Sequence, residues 1–375
     1  MIHKKVGGIM QLPFSEQLDI QYLGHLFDNT SECYKLFWFQ AIMTKIKDGE
    51  NSFTFDELVN EMIADAWYMV TEYHLNLGPK DNLETIVKYI SKTTGFKNSE
   101  KKNVIIDYLS TCEDKEVCRI KKILIANVPY RLQAPFMPDF KGKVWNVGQR
   151  KLTEEINQQK RLMYYFLSYQ GLDTRICMES AWVLYLKKNM EIIQGWIQYH
   201  MITYLQKRNP SVPGIANKLF PPSERNLTKV IKYWRMVMEI QPVSEIYGEH
   251  RLSVDDISID HFVPWSYVTH DELWNLSPTT KSINSSKSNN LPDWEYFSSL
   301  AKLEHQSYQM IWKYDRLMDE FQKCAKEHLN TDLAYKLYFQ KEQTESEFRN
   351  HLQEIVLPVY ESAKNNGFGN WIYER

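Results

Sequence analysis

Between residues 55 and 70, apolar side chains fall at Phe55, Leu58, Val59, Met62, Ile63, Ala66, Trp67 and Val70. This three- and four-residue spacing lines one face of an α-helix. Thr54 and Glu57 stand where a capping box would start it. The stripe recurs at Leu83, Ile86, Val87 and Ile90, with Asp81 and Glu84 at its head. Helical periodicity of this kind predicts that residues 14 to about 127 are mainly helical. The run Phe37, Trp38, Phe39 reads as core packing rather than as a platform for stacked bases. The pattern breaks over 128–148, where Pro129, Pro135, Pro138 and two glycines predict an irregular connector interleaved with Tyr130, Arg131 and Trp145. Helices are predicted again over about 151–169 and 177–208. Four prolines and Gly214 make 209–222 a loop, and a helix carrying Lys229, Lys232, Trp234 and Arg235 should follow. Residues 241–256, with Gly248, form an approach to what comes next.

The period changes from 3.6 to 2 at Ile257–Val263, which alternates as a strand does and stops at Pro264. A loop over 265–273, a second short strand around 274–276 and a turn at Ser277 and Pro278 complete a hairpin. A helix is expected near Asn284 or shortly after. Helical patterning returns over about 293–328 and 332–364. The expected fold is mainly α-helical with an embedded ββα module. The expected parts are an N-terminal helical region (1–127), a basic connector and helical region (128–240), the ββα module (241–300) and a C-terminal helical region (301–375).

Composition adds limits. A hydrophobic content of 43% and an aromatic content of 14% suit packed domains and exclude a disordered chain. Lys4 and Lys5 are followed by no apolar signal core, and no apolar run reaches membrane-spanning length, so a cytoplasmic protein without membrane partners is expected. The five cysteines form no CxxC pair, which argues against a zinc ribbon or a disulfide framework. Net charge is only −2, yet residues 121–161 hold nine Lys/Arg against three acidic residues, and 205–235 hold seven against one. Such islands suit a phosphate backbone; the alternative is a solvated helix face balanced by acidic neighbours.

The chemistry concentrates in the module. Asp260 and His261 are adjacent, and Asn275, Asn284, Lys287, Asn290 and Pro292 follow. Phosphodiester hydrolysis needs a divalent cation near the leaving oxygen and a base for water. Asp260 and Asn284 can supply metal-binding oxygens, and His261 can supply the base. One carboxylate and one amide form a hard, sparse donor set, suited to Mg²⁺ or Mn²⁺ rather than zinc. His250 and His270 read as loop histidines. Asp255, Asp256, Asp271 and Glu272 read as solvated loop charges, with Asp271 or Glu272 the candidates for a second ion.

The stretch 257–292 resembles the HNH nuclease family, in the variant similar to the HNH domain of RNA-guided CRISPR effector nucleases. The resemblance implies a ββα-metal fold in which Asp260 and Asn284 bind the metal and His261 activates water. It further implies that Asn275 braces the loop carrying the histidine and that Lys287 stabilises charge on the phosphate. The implied activity is a DNA endonuclease leaving 5′-phosphate and 3′-hydroxyl ends. By analogy it would serve bacterial or phage defence, with a homodimer or a partner subunit needed to cut both strands. An RNA-directed nuclease and a catalytically silent binding or regulatory subunit are the competing readings.

Overall fold

A computed structural model describes residues 11–28, 30–140, 142–221 and 225–374. Lys4, Lys5 and Pro222 lie outside these residues. The chain divides into two compact units, Met1–Pro210 and Ser211–Arg375.

The first unit runs α1 (Ile20–Gly24), α2 (Tyr34–Lys47), β1 (Ser52–Thr54), α3 (Phe55–Thr71), α4 (Asn82–Thr94), α5 (Lys102–Thr111) and α6 (Lys115–Leu124). It continues with α7 (Val128–Arg131), α8 (Gln149–Asn157), β2 (Tyr164–Phe166), β3 (Arg175–Met178), α9 (Ser180–Lys188) and α10 (Met190–Arg208). Helix α3 begins as its sequence requires: the Thr54 hydroxyl accepts from the Glu57 amide, and the Glu57 carboxylate accepts from the Thr54 amide. Its apolar stripe packs against α2, α4 and α5. Phe37, Trp38 and Phe39 are fully buried core. Asp81 caps α4 through the amides of Leu83 and Glu84.

The helix expected over 151–169 stops at Asn157, and its second half is strand β2. This aromatic run pairs with β3, which also pairs with β1. The far edge of β2 is satisfied by side-chain amides. Gln133 accepts from the amides of Met163 and Tyr164 and donates to the Tyr164 carbonyl. Asn157 does the same for Phe166. Three strands buried among helices thus need no fourth strand to satisfy their backbone. The span 177–208 is likewise two helices, broken at Asn189.

The second unit runs α11 (Thr228–Ile240), β4 (Ser258–His261), α12 (Trp265–Val268), β5 (Leu276–Thr279), α13 (Lys281–Lys287) and β6 (Leu291–Pro292). Then come α14 (Phe297–Lys313), α15 (Asp315–His328), α16 (Asp332–Phe339), α17 (Glu345–Asn365) and β7 (Asn370–Trp371), the last pairing parallel with β6. Helix α14 packs on α15 and α17, α11 packs on α15, and α11 also touches β4 and β5. The fold is therefore mainly α-helical with the ββα module inside the second unit.

The second strand of the module begins later than its sequence suggests. Residues 273–275 form a 3₁₀ turn, and Ser277 and Pro278 lie inside β5 rather than at a turn. The register explains how a proline fits. Phe262 donates to the Asn275 carbonyl, and the pairing then alternates through Asp260 and Ser277, so Pro278, opposite Ile259, needs no N–H toward β4.

Candidate active site

Strand β4 delivers Asp260 and His261 to opposite faces, as the period of two dictates. Each meets its own set of partners. Asp260 is buried and accepts from two donors: the Tyr247 hydroxyl on Oδ2 and Lys287 Nζ on Oδ1 at 3.0 Å. Lys287 is equally buried and also donates to the His261 carbonyl at 2.7 Å. Burial pushes the Lys287 ammonium below its usual range, and Asp260 opposes that shift. The last turn of α13 is thereby fastened to the end of β4. One turn earlier, Asn284 donates its amide N–H groups to Ser258 Oγ at 2.8 Å and the Ile259 carbonyl at 3.2 Å.

Tyr247 reaches Asp260 because of the turn that precedes the strand. The buried Glu245 carboxylate accepts from the backbone amides of Tyr247, Gly248 and His250, at 2.7, 2.9 and 2.9 Å. Gly248 permits that turn, since a Cβ there would come within 2.8 Å of the Tyr373 and His250 rings. Burial, followed by the charge of Asp260, raises the Tyr247 phenol well above its ordinary range, so it remains a donor.

Asn275 is completely buried. Its side chain accepts from the Val263 amide at 2.7 Å and donates to the Val263 carbonyl at 2.9 Å. Together with the Phe262 to Asn275 backbone bond, this locks the chain immediately after His261.

The His261 ring is held on both nitrogens. Nε2 is 2.8 Å from Asp271 Oδ1, and Nδ1 is 3.4 Å from a guanidinium nitrogen of Arg225. Burial lowers the imidazole below its usual value; the Asp271 hydrogen bond opposes this and Arg225 reinforces it. Arg225 also stacks 5.2 Å over the Trp265 ring. Asp271 and Glu272 are therefore not the solvated loop charges expected of them. Glu272 is buried and bonded to the backbone and side-chain nitrogens of Asn330, and the backbone carbonyl of Asp271 is 2.7 Å from His328 Nδ1. His250 and His270 do sit in loops, against Tyr373 and Trp274.

The module thus brings Asp260, His261, Asn275 and Lys287 into one bonded set, with Asn284 on the same helix–strand contact. Four participants were not foreseen: Arg225, Glu245, Tyr247 and Asp271. Arg225 left a trace in the sequence as a member of the basic island at 205–235, and Asp271 was singled out only as a loop charge or second-ion candidate. Other members of the two islands are engaged elsewhere. Lys121 is buried against Asp56, Lys218 is buried on backbone carbonyls, and Arg150 and Lys151 pair with Glu154 and Glu155 one turn away.

Among the described residues no group of three or more His, Cys, Asp or Glu side chains could hold a metal ion. Any divalent ion here would rely on one carboxylate, an amide oxygen, water and substrate. The donors fit that demand. An ionised carboxylate offers about four lone-pair positions, and Tyr247 and Lys287 use two of those on Asp260. The Asn284 nitrogen is committed to β4, which leaves its oxygen for an ion.

The second unit thus holds a short ββα unit in which a braced histidine, an adjacent carboxylate and a helix-borne asparagine lie together. Residues 245–293 match the HNH endonuclease family. The match begins at Glu245, the residue that organises the turn beneath Asp260. The match is confined to the ββα module and the turn before it, and HNH modules are units of nucleases. Comparisons of the chain with curated proteins and with solved structures return no match.

Proposed function

We propose that the protein is a metal-dependent endonuclease that hydrolyses DNA to 5′-phosphate and 3′-hydroxyl ends, with His261 as the general base. The observation that carries this reading is the state of the His261 ring: it is buried, braced through Asn275, biased toward the neutral form and one residue from Asp260. Asp260 and Asn284 would hold Mg²⁺ or Mn²⁺. When bound, the ion supplies positive charge to the phosphate and the leaving oxygen.

The remaining work falls to the chain's own side chains. Neutral His261 accepts a proton from the attacking water. Asn275 keeps the strand end, and hence the ring, from shifting; a misplacement of about 1 Å costs about a hundredfold in rate. Lys287 holds the Asp260 carboxylate and the His261 carbonyl in fixed relation and brings a positive charge next to the site. Arg225, exposed and stacked on Trp265, is placed to meet a phosphate oxygen beside the base. A single such centre cuts one strand, so duplex scission calls for a second copy or a partner subunit. A place in genome defence is proposed on analogy with other nucleases of this kind.

The test is supercoiled plasmid in Mg²⁺ and in Mn²⁺, wild type beside His261→Ala. Nicking or linearisation by the wild type alone is expected. Cleavage of RNA but not of plasmid would reassign the substrate, and equal cleavage by both proteins would remove His261 as the base.

A further inference from the structure

Both neighbours of the His261 ring impose the same tautomer. An ionised carboxylate only accepts hydrogen bonds, so Nε2 must carry the hydrogen that Asp271 Oδ1 receives at 2.8 Å. A guanidinium only donates, so Nδ1, 3.4 Å from Arg225, must present its lone pair. The carboxylate is itself anchored. Its backbone carbonyl meets His328 Nδ1 at 2.7 Å, and the next residue, Glu272, accepts from the Asn330 backbone at 3.1 Å and from its side chain at 2.6 Å. His328 and Asn330 form the corner between α15 and α16, outside the segment that matches the HNH family.

We propose that Asp271 is the positioning residue of the active site: it fixes His261 with hydrogen on Nε2 and the lone pair of Nδ1 toward the reaction, and the 328–330 corner holds Asp271 in place. This rests on the nuclease reading for its catalytic consequence, but the tautomer itself does not depend on that reading. Arg225 shields the Nδ1 lone pair in the free protein. A phosphate that draws the guanidinium away leaves the base facing the water it must deprotonate.

Two measurements on the full chain test the proposal. The first is ¹⁵N NMR of histidine-labelled protein, with the His261 signals assigned through His261→Gln. Wild type should show a protonated Nε2 and an unprotonated Nδ1. Asp271→Asn and Asp271→Ala should convert this to a mixture or to the opposite tautomer, while Asp271→Glu keeps the wild-type pattern. A wild-type ring protonated on Nδ1, or variants with unchanged shifts, would overturn the proposal. The second is steady-state cleavage. Asp271→Asn should lower kcat by about a hundredfold or more with KM nearly unchanged, and Asp271→Glu should recover part of the loss. Variants with wild-type kcat would also overturn it. Asp271→Asn preserves side-chain volume, and circular dichroism shows whether each variant is folded. If the wild type cuts no nucleic acid, the nuclease reading falls, and the nitrogen shifts still decide whether Asp271 sets the ring.

Discussion

Lys287 is the residue on which the buried charges of the site depend. It is 1% exposed and its partner Asp260 is 3% exposed, so solvent screens the pair little. Removing one member of a buried pair strands the other charge, which typically costs about 3–5 kcal/mol. Lys287→Met should therefore lower the thermal midpoint sharply in EDTA. A divalent ion at the proposed site would supply a replacement charge at the same carboxylate, so saturating Mg²⁺ should recover more of the midpoint in Lys287→Met than it adds to the wild type. Equal Mg²⁺ shifts in the two proteins, read by thermal unfolding, would place the ion elsewhere. Asn275 illustrates a different dependence. Its two bonds to Val263 are to backbone, so its value lies in geometry rather than charge. The spacing of Asp260, His261, Asn275, Asn284 and Lys287 was legible because each lies in one short module, where distance along the chain fixes distance in space. Asp271 was written in the same module, yet its role was not legible, because the direction of a loop carboxylate is set by His328 and Asn330 far down the sequence.

At the level of elements, helices with local start signals were the readable ones. Thr54 with Glu57 and Asp81 with Glu84 announce α3 and α4 because capping bonds form within one turn. Strand β2 was read as helix because, although β3 follows closely in the chain, its other edge is satisfied by the Gln133 amide far upstream. Helix α14 carries a further feature that no local pattern reveals. Glu304 is 3% exposed; Tyr338 donates to its Oε2 at 2.9 Å, and its Oε1 meets no donor among the described residues. Burial raises its pKa from 4.5 to about 8. The folded state thus keeps a proton that the unfolded chain gives up near 4.5. Stability from this group is complete below pH 4.5 and is lost as pH rises toward 8, with a slope of at most about 1.4 kcal/mol per pH unit. Lys218, lowered to about 7 by burial, acts with the opposite sign between 7 and 10.5. Buried histidines such as His261 also contribute between pH 5 and 7, but they are common to wild type and Glu304→Gln, so the difference between the two proteins isolates Glu304. Urea unfolding there should show wild type losing ground to Glu304→Gln with each step up in pH, and a constant difference would mean the carboxyl is ionised in the fold.

For the molecule as a whole, the division at Pro210 and Ser211 assigns every residue of the proposed site to one unit. That unit owns a core, built around Tyr233, Leu300, Phe321, Phe348 and Leu352, all nearly inaccessible to solvent. A fragment spanning 211–375 should fold by itself and unfold in one cooperative transition, monitored by circular dichroism in urea. A gradual, non-cooperative loss of helix would show that residues 1–210 are required for its fold. In the first unit the charge island was a poor guide to function, since Lys121 is buried against Asp56 and Arg150 and Lys151 pair with Glu154 and Glu155. The anchoring of Asp271 by the 328–330 corner has one more consequence, and it concerns time. Synthesis delivers β4, β5 and α13 first, and the corner that secures the histidine's carboxylate follows about forty residues later. On the proposed assignment, a nascent chain that already carries Asp260, His261 and Asn284 still lacks the corner that holds Asp271 in place.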